Sequence, residues 1–211
     1  MFEIEYRGAN ALVMSTKKAT LVVDPKLSVV GLKDIAIKDE IEVATEARFA
    51  LNSENARLRI EGPGEYGVAD YDIHGIAVQR HLDSADVPFA STMYRIEVGE
   101  LRVAVLGNIY ENLSEQQLEE LGVIDILILP VGGSGYTLDA TGAANLVRKI
   151  DPKVVIPIHY ADPALKYEVP QDTLETFTKE LGAPVETVTK YKLKSASLLP
   201  VTLTVVALER S

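Results

Sequence analysis

Residues 101–160 read LRVAVLGNIYENLSEQQLEELGVIDILILPVGGSGYTLDATGAANLVRKIDPKVVIPIHY. Three apolar runs stand out within them, at 103–106, 123–129 and 154–158, short and apolar at nearly every position. Strands buried on both faces have this composition. The segments between them carry helix punctuation. Ser114 stands at a cap position with Gln117 at the reciprocal capping-box position and Gly122 where a left-handed terminator is wanted, so the spacing predicts a helix over 115–121. A second helix follows Asp139, with Ala143, Leu146, Val147 and Ile150 at helical spacing, and stops before Asp151-Pro152. A third opens at Pro170, places Leu174, Phe177 and Leu181 on one face, and ends at Gly182. Alternation of this kind predicts βαβ crossovers feeding a sheet covered by helices.

Outward from this stretch the pattern changes. The first hundred residues read as short strands at 2–6, 11–14, 20–23, 42–45, 57–60, 71–78 and 93–98, punctuated by Asp24-Pro25, Gly62-Pro63-Gly64 and Val98-Gly99-Glu100. After the third helix the chain returns to strand at 191–193 and 201–208. A β-rich half (1–100) followed by a βα half (101–211) suits two stacked sheets with helices outside, within a single domain spanning 1–211.

Composition bounds the chemistry. With 47% hydrophobic and 25% charged residues the 211-residue chain is that of an ordinary globular protein. It has no cysteine, which removes disulfides, thiolate metal ligands and a thiol nucleophile. The formal charge of −10, with dispersed lysine and arginine, argues against nucleic acid as a partner. No apolar run approaches the ~18 residues a spanning helix needs, so no membrane span is expected. Glu3 and Glu5 alternate with apolar residues at the start, an amphipathic strand rather than a cleavable signal, so a cytoplasmic location is expected.

Functional groups in α/β sheets sit just beyond the carboxyl ends of strands. Asp24, Asn108, the segment Gly132-Gly133-Ser134-Gly135 and His159 all occupy such positions. The glycine-rich segment lacks the spacing and the lysine of a phosphate loop, and Ser134 is not in a Gly-x-Ser-x-Gly elbow. His74, inside a strand, is assigned no role.

The order Val22-Val23-Asp24-Pro25, Gly62-Pro63-Gly64-Glu65-Tyr66, Val105-Leu106-Gly107-Asn108, Val123 through Gly133 and Ile156-Pro157-Ile158-His159-Tyr160 resembles the metallo-β-lactamase superfamily, in the branch related to L-ascorbate-6-phosphate lactonase. The resemblance covers nearly the whole chain. It implies a four-layer αββα sandwich in which five His and two Asp hold two divalent metals, and a bridging hydroxide attacks esters, lactones or phosphodiesters. The family's His-x-His-x-Asp-His loop falls at Glu46-Ala47-Arg48-Phe49-Ala50-Leu51, where all four metal-binding side chains differ. The third His of the first metal site corresponds to His81, in Gln79-Arg80-His81-Leu82-Asp83, the bridging Asp to Asn108 and the last His to His159.

A catalytic zinc site takes three protein ligands and a water. Two histidines fall short of that, Asn108 is neutral, and Arg48 brings a permanent positive charge to the place of a cation. Two readings stay open. In one, Glu46, His81 and His159 form a residual single-metal site, with zinc or manganese as the ion and a small ester, lactone or phosphoester as substrate. In the other, no metal binds, His159 is a buried strand-end residue bonded to backbone, His81 is a surface loop residue, and Arg48 pairs with Glu46 or another carboxylate. The expected function is then a non-catalytic binding or scaffold role, with Asp24 shaping a pocket and Arg48 receiving a small organic anion. A protein partner or a homo-oligomer formed through a sheet edge near 201–208 is a third expectation. Because apolar packing holds the fold, a stable metal-free protein is expected.

Overall fold

The computed structural model of the chain describes residues 1–82 and 90–211. Asp83 of the motif around His81 lies outside the described residues. The alternating residues of β1 (Phe2–Gly8) bury every second side chain, Phe2, Ile4 and Tyr6 pointing inward. With β2 (Ala11–Ser15), β3 (Thr20–Val23), β4 (Ile41–Ala44), β5 (Leu58–Glu61) and β13 (Tyr191–Leu193) it forms a six-stranded sheet in the order β13-β1-β2-β3-β4-β5. The larger sheet comprises β6 (Gly64–Val68), β7 (Tyr71–Val78), β8 (Ser91–Val98), β9 (Leu101–Val105), β10 (Ile126–Pro130), β11 (Val154–Ile158), β12 (Val185–Val188) and β14 (Thr204–Leu208). Its order is β12-β14-β11-β10-β9-β8-β7-β6. In it β9, β10, β11, β14 and β12 run parallel, and β6 to β9 are an antiparallel meander.

The sheets stack face to face on a shared core. Ile4, Leu12, Leu21 and Val43 from one meet Ile73, Ile96, Val103, Ile128 and Ile156 from the other. The opposite face of the larger sheet offers Ala104, Leu127, Leu129 and Val155 to α1 (Glu115–Leu121), α2 (Ala140–Ile150) and α3 (Leu174–Leu181), which contribute Leu121, Leu146, Val147 and Phe177. Both runs at 126–130 and 154–158 are buried throughout, as two-sided covering requires. The outer face of the smaller sheet, with Ala11, Val13 and Val22, is covered by Leu27, Val30, Ile37 and Leu165. Here the covering layer is a single 3-10 turn (Leu27–Val30) and extended chain, because Gly31 at φ 80° ends the turn after four residues. The α/β sandwich of metallo-β-lactamase type is thus present, with its outermost layer on this side built from irregular chain.

Helix α1 has the predicted capping box in full: Ser114 accepts from the Gln117 backbone at 3.1 Å, and the Gln117 side chain accepts from the Ser114 backbone at 2.9 Å. Asp139 caps α2 through the Gly142 N–H at 2.7 Å. Three expectations are corrected. The third helix begins at Leu174 rather than Pro170, because Asp172 donates its N–H to Gly132 O at 2.7 Å and accepts from Ala161 at 2.8 Å, which ties 170–172 to other loops. The strand expected from 123 starts at Ile126, since the Asp125 carboxylate and backbone both bond to Arg102 at the mouth of the sheet. The C-terminal strand is not a sheet edge: β14 lies between β11 and β12, and β12 forms that edge. Among the described residues no helix is long and apolar enough to cross a membrane.

Candidate functional site

Strands β3, β4, β9, β10 and β11 present their carboxyl ends to one rim of the sandwich, where Asp24, Thr45-Glu46, Asn108, the turn 131–136 and His159 follow them directly. Asp24 and His159 hold left-handed backbone conformations with φ of 49°, and Ser134 in the turn does so at 56°. Non-glycine residues adopt this only where the surroundings over-determine them. Asp24 donates its N–H to Val43 O at 2.9 Å, and His159 to Ala9 O at 3.0 Å, so each turn is stitched to a neighbouring strand end.

Asp24 is buried. Its carboxyl accepts from Thr45 N at 2.7 Å and from Thr45 Oγ1 at 2.6 Å, as expected of a loop-shaping aspartate. Burial still raises it from an ordinary 3.8 to about 7, against the pull of those two donors and with the push of the nearby Glu46 charge. Gly107 underlies this contact: a Cβ there would stand 2.8 Å from Thr45 Cβ, and its φ is 65°.

Glu46 gathers the charges of the rim. It is 3% exposed. Arg48 Nε stands 2.9 Å from Glu46 Oε2, an ion pair rather than an aligned hydrogen bond, while Arg48 Nη2 donates to Oε1 at 3.3 Å. Arg80 Nη1 lies 3.5 Å from Oε2, and Asn108 Nδ2 donates to Oε1 at 3.2 Å. The Arg48 guanidinium lies over the rings of Phe49 (4.6 Å) and Tyr136 (5.0 Å), with Glu168 at 3.7 Å on its outer side. Asn108 is fully buried, and its Oδ1 has no hydrogen-bond partner among the described residues.

His159, 2% exposed, stacks on Tyr167 at 4.8 Å and meets Tyr136 at 5.5 Å. Its ring is bonded to a side chain rather than to backbone, Nδ1 lying 2.8 Å from Asn10 Oδ1. With an oxygen as that partner Nδ1 carries the proton, and Nε2 is an acceptor with no partner. Burial, aided by the Arg48 charge, lowers this imidazole from 6.5 to about 3, so it is neutral. His81 donates its backbone N–H to Asn108 O at 2.9 Å; it is half-buried rather than a surface residue, and its Nδ1 is enclosed without a partner. His74 faces its cross-strand neighbour Glu65, Nδ1 being 3.7 Å away.

The structure therefore joins Glu46, Arg48 and Asn108 in one bonded group, with His81 attached through the Asn108 backbone. His159 sits beyond Tyr136 in a separate aromatic nest. Among the described residues no three His, Asp or Glu side chains converge closely enough to hold a metal ion. Sequence reading missed Asn10, Thr45, Tyr136 and Tyr167. Asn10 is 149 residues from His159 and sits in a β-hairpin turn, so no local pattern marked it.

Comparison with known proteins agrees with this architecture. Residues 3–159 match the family model of the beta-lactamase superfamily domain. A UPF0173 protein of Pyrococcus furiosus is 35% identical over 94 residues, 42% of this chain and 43% of that protein, so the match spans under half of the relative's length. A Methanopyrus kandleri protein named UPF0173 metal-dependent hydrolase is 26% identical over 89% of this chain and 91% of its own. Among solved structures, a Thermotoga maritima member of the metallo-beta-lactamase superfamily superposes with a TM-score of 0.77 at 22% identity, covering 99% of this chain and 100% of that one. The Ignicoccus hospitalis metallo hydrolase Igni18 gives 0.65 at 17% identity, covering 92% of this chain and 99% of its own, a likeness of fold. On the family match over 3–159 and this shared sandwich, the chain belongs to the metallo-β-lactamase superfamily.

Proposed function

We propose that this cytoplasmic chain is a non-hydrolytic member of its superfamily, a binding module that uses the rim of the sandwich for a small organic molecule without a metal. The observation that carries this reading is the Arg48–Glu46 ion pair at 2.9 Å, which sets a guanidinium where the family's first-metal loop would hold a cation. Arg80 adds a second guanidinium at 3.5 Å. An additional divalent ion beside Glu46 would meet both positive charges, and Asn108 turns a donor nitrogen, not an acceptor oxygen, toward that carboxylate. The donor set does not fit a two-metal hydrolytic centre, which needs ionised carboxylates and neutral imidazoles in number.

The test is elemental analysis of protein purified without chelator, followed by zinc and manganese titration with thermal unfolding as readout. A metal-free protein, unmoved by either ion and inactive on a panel of esters, phosphoesters and sugar-phosphate lactones, is expected. Stoichiometric metal whose removal destabilises the protein would overturn the reading.

A second reading, a hydrolase with one residual metal, draws on three enclosed atoms without partners: His81 Nδ1, Asn108 Oδ1 and His159 Nε2. The names of several relatives as metal-dependent hydrolases point the same way. The same metal analysis separates the two.

A further inference from the structure

Arg48 turns different edges of its guanidinium to two carboxylates. The edge made by Nε and Nη2 faces Glu46, with Nε 2.9 Å from Oε2 and Nη2 donating to Oε1 at 3.3 Å. A guanidinium carries five N–H groups in one fixed plane, so the end formed by Nη1 and the outer hydrogen of Nη2 remains. Among the described residues Nη1 makes no hydrogen bond, and unlike Nε it is not sealed from solvent. The carboxylate opposite it is that of Glu168, 3.7 Å away and beyond hydrogen-bond reach, with a side chain that is 65% exposed.

Arg48 and Glu168 both line a cleft of about 50 Å³ between the loops after β4, β10 and β11, walled by Phe49, Tyr136, Tyr167 and Val30. At roughly 10–15 Å³ per water-sized group it takes on the order of four heavy atoms, a carboxylate and the carbon beside it. The donor is in place before any ligand arrives: buried Glu46 fixes one edge, and the guanidinium lies over the rings of Phe49 and Tyr136 at 4.6 and 5.0 Å. Glu168 is poorly held by comparison. Its loop is pinned just before it, Lys166 donating its N–H to Val30 O at 2.9 Å and Tyr167 its hydroxyl to Tyr160 O at 3.1 Å. Glu168 itself makes no hydrogen bond among the described residues, so its side chain can turn into solvent while the loop stays. An exposed pair at this separation favours contact by a factor of about five at most. An incoming cation would meet the Arg48 charge, whereas a carboxylate can take two parallel N–H···O bonds from Nη1 and Nη2.

We infer that this cleft receives the carboxylate of a small organic acid on the Nη1–Nη2 end of Arg48, and that Glu168 occupies the approach to that end until the acid displaces it. The inference rests on the metal-free binding reading above and narrows its ligand to carboxylates.

The experiment titrates the full chain, after elemental analysis, with acetate and propionate, with acetamide as the uncharged isostere, and with inorganic phosphate and ethylammonium. Calorimetry gives affinity, and the arginine side-chain 15N resonances report the donor. Acetate and propionate are expected to bind and to shift the Arg48 Nη1 resonance, while acetamide and ethylammonium do neither. Glu168→Gln, at a mostly exposed side chain, should tighten acetate binding by about two- to five-fold, because the resident competitor is gone. Arg48→Lys, which keeps the charge and loses the fork, should weaken it by about ten-fold. If that variant does not fold, Glu168→Gln and the Arg48 resonance decide alone. Unchanged acetate affinity in Glu168→Gln, acetamide binding as tightly as acetate, or no probe moving the Arg48 resonance overturns the inference. Phosphate bound in preference to acetate also overturns it and leaves the non-hydrolytic reading intact. Stoichiometric metal in the purified protein defeats both.

Discussion

Replacing Asp24 by asparagine should expose two opposed titrations that hide each other in the natural protein. Asp24 is raised from 3.8 to about 7 and His159 lowered from 6.5 to about 3, both chiefly by burial. From about pH 4 to about pH 7 the folded chain keeps a proton on Asp24 that the unfolded chain has lost, so this group's contribution to stability falls as pH rises, by ~1.4 kcal/mol per unit. Across its window it amounts to on the order of 4 kcal/mol. From about pH 3 to about pH 6.5 the unfolded chain holds a proton on His159 that the folded chain refuses, so that contribution falls as pH drops, at the same rate. Over the shared interval the slopes cancel and the natural protein should be nearly flat. Asp24→Asn removes the first term while its amide can still meet Thr45, so the variant should lose ~1.4 kcal/mol for each pH unit of acidification below about 6.5. Urea unfolding at closely spaced pH values, read by circular dichroism, measures both curves. If the difference between natural protein and variant is independent of pH over that interval, the reasoning about Asp24 is wrong.

Other perturbations follow from contacts already described. Gly107→Ala should cost about 2 kcal/mol, from its left-handed φ and the clash with Thr45, and should loosen the Asp24 bonds; urea unfolding reads the cost. Arg48→Ala should destabilise by about 2 kcal/mol, less than a fully buried pair, because its side chain is 30% exposed and Arg80 stays near Glu46. Combined with Glu46→Gln the losses should be less than additive in a double-mutant cycle, and simple additivity would mean the two side chains are not coupled. Ser114→Ala should cost about 1 kcal/mol through the lost cap, visible as a lower unfolding midpoint.

Where local chemistry dictates structure, the sequence was readable. Ser114, Gln117 and Gly122 mark α1 to the residue because cap, box and terminator act within one turn. The buried strands β10 and β11 announce themselves as unbroken apolar runs. By contrast β6 went unseen, because Gly64 and Gly67 disguise a strand whose partner, β7, is what holds it. Edge strand β12, with Glu186 and Thr187 exposed, likewise has too little apolar pattern to signal. Pro170 misled because its loop is fixed by Gly132 and Ala161, contacts no local rule contains. At the site, the pairing of Arg48 with Glu46 followed from nearness in sequence, two positions apart. The nest around His159 did not: Asn10, Tyr136 and Tyr167 come from three separate loops, brought together only by the sheet order.

The pairing of β1 with β13, Phe2 opposite Leu193, bears on how the protein is made. Strand β1 leaves the ribosome long before its outer neighbour does. At ~5–20 residues per second, roughly ten to forty seconds of translation separate the two. Throughout that time a nascent hairpin of β1 and β2 shows a bare row of amides to whatever is nearby, including the same segment of another growing chain. Glu3 and Glu5, which Lys190 later neutralises, give that bare edge like charges that push such copies apart until the proper partner arrives.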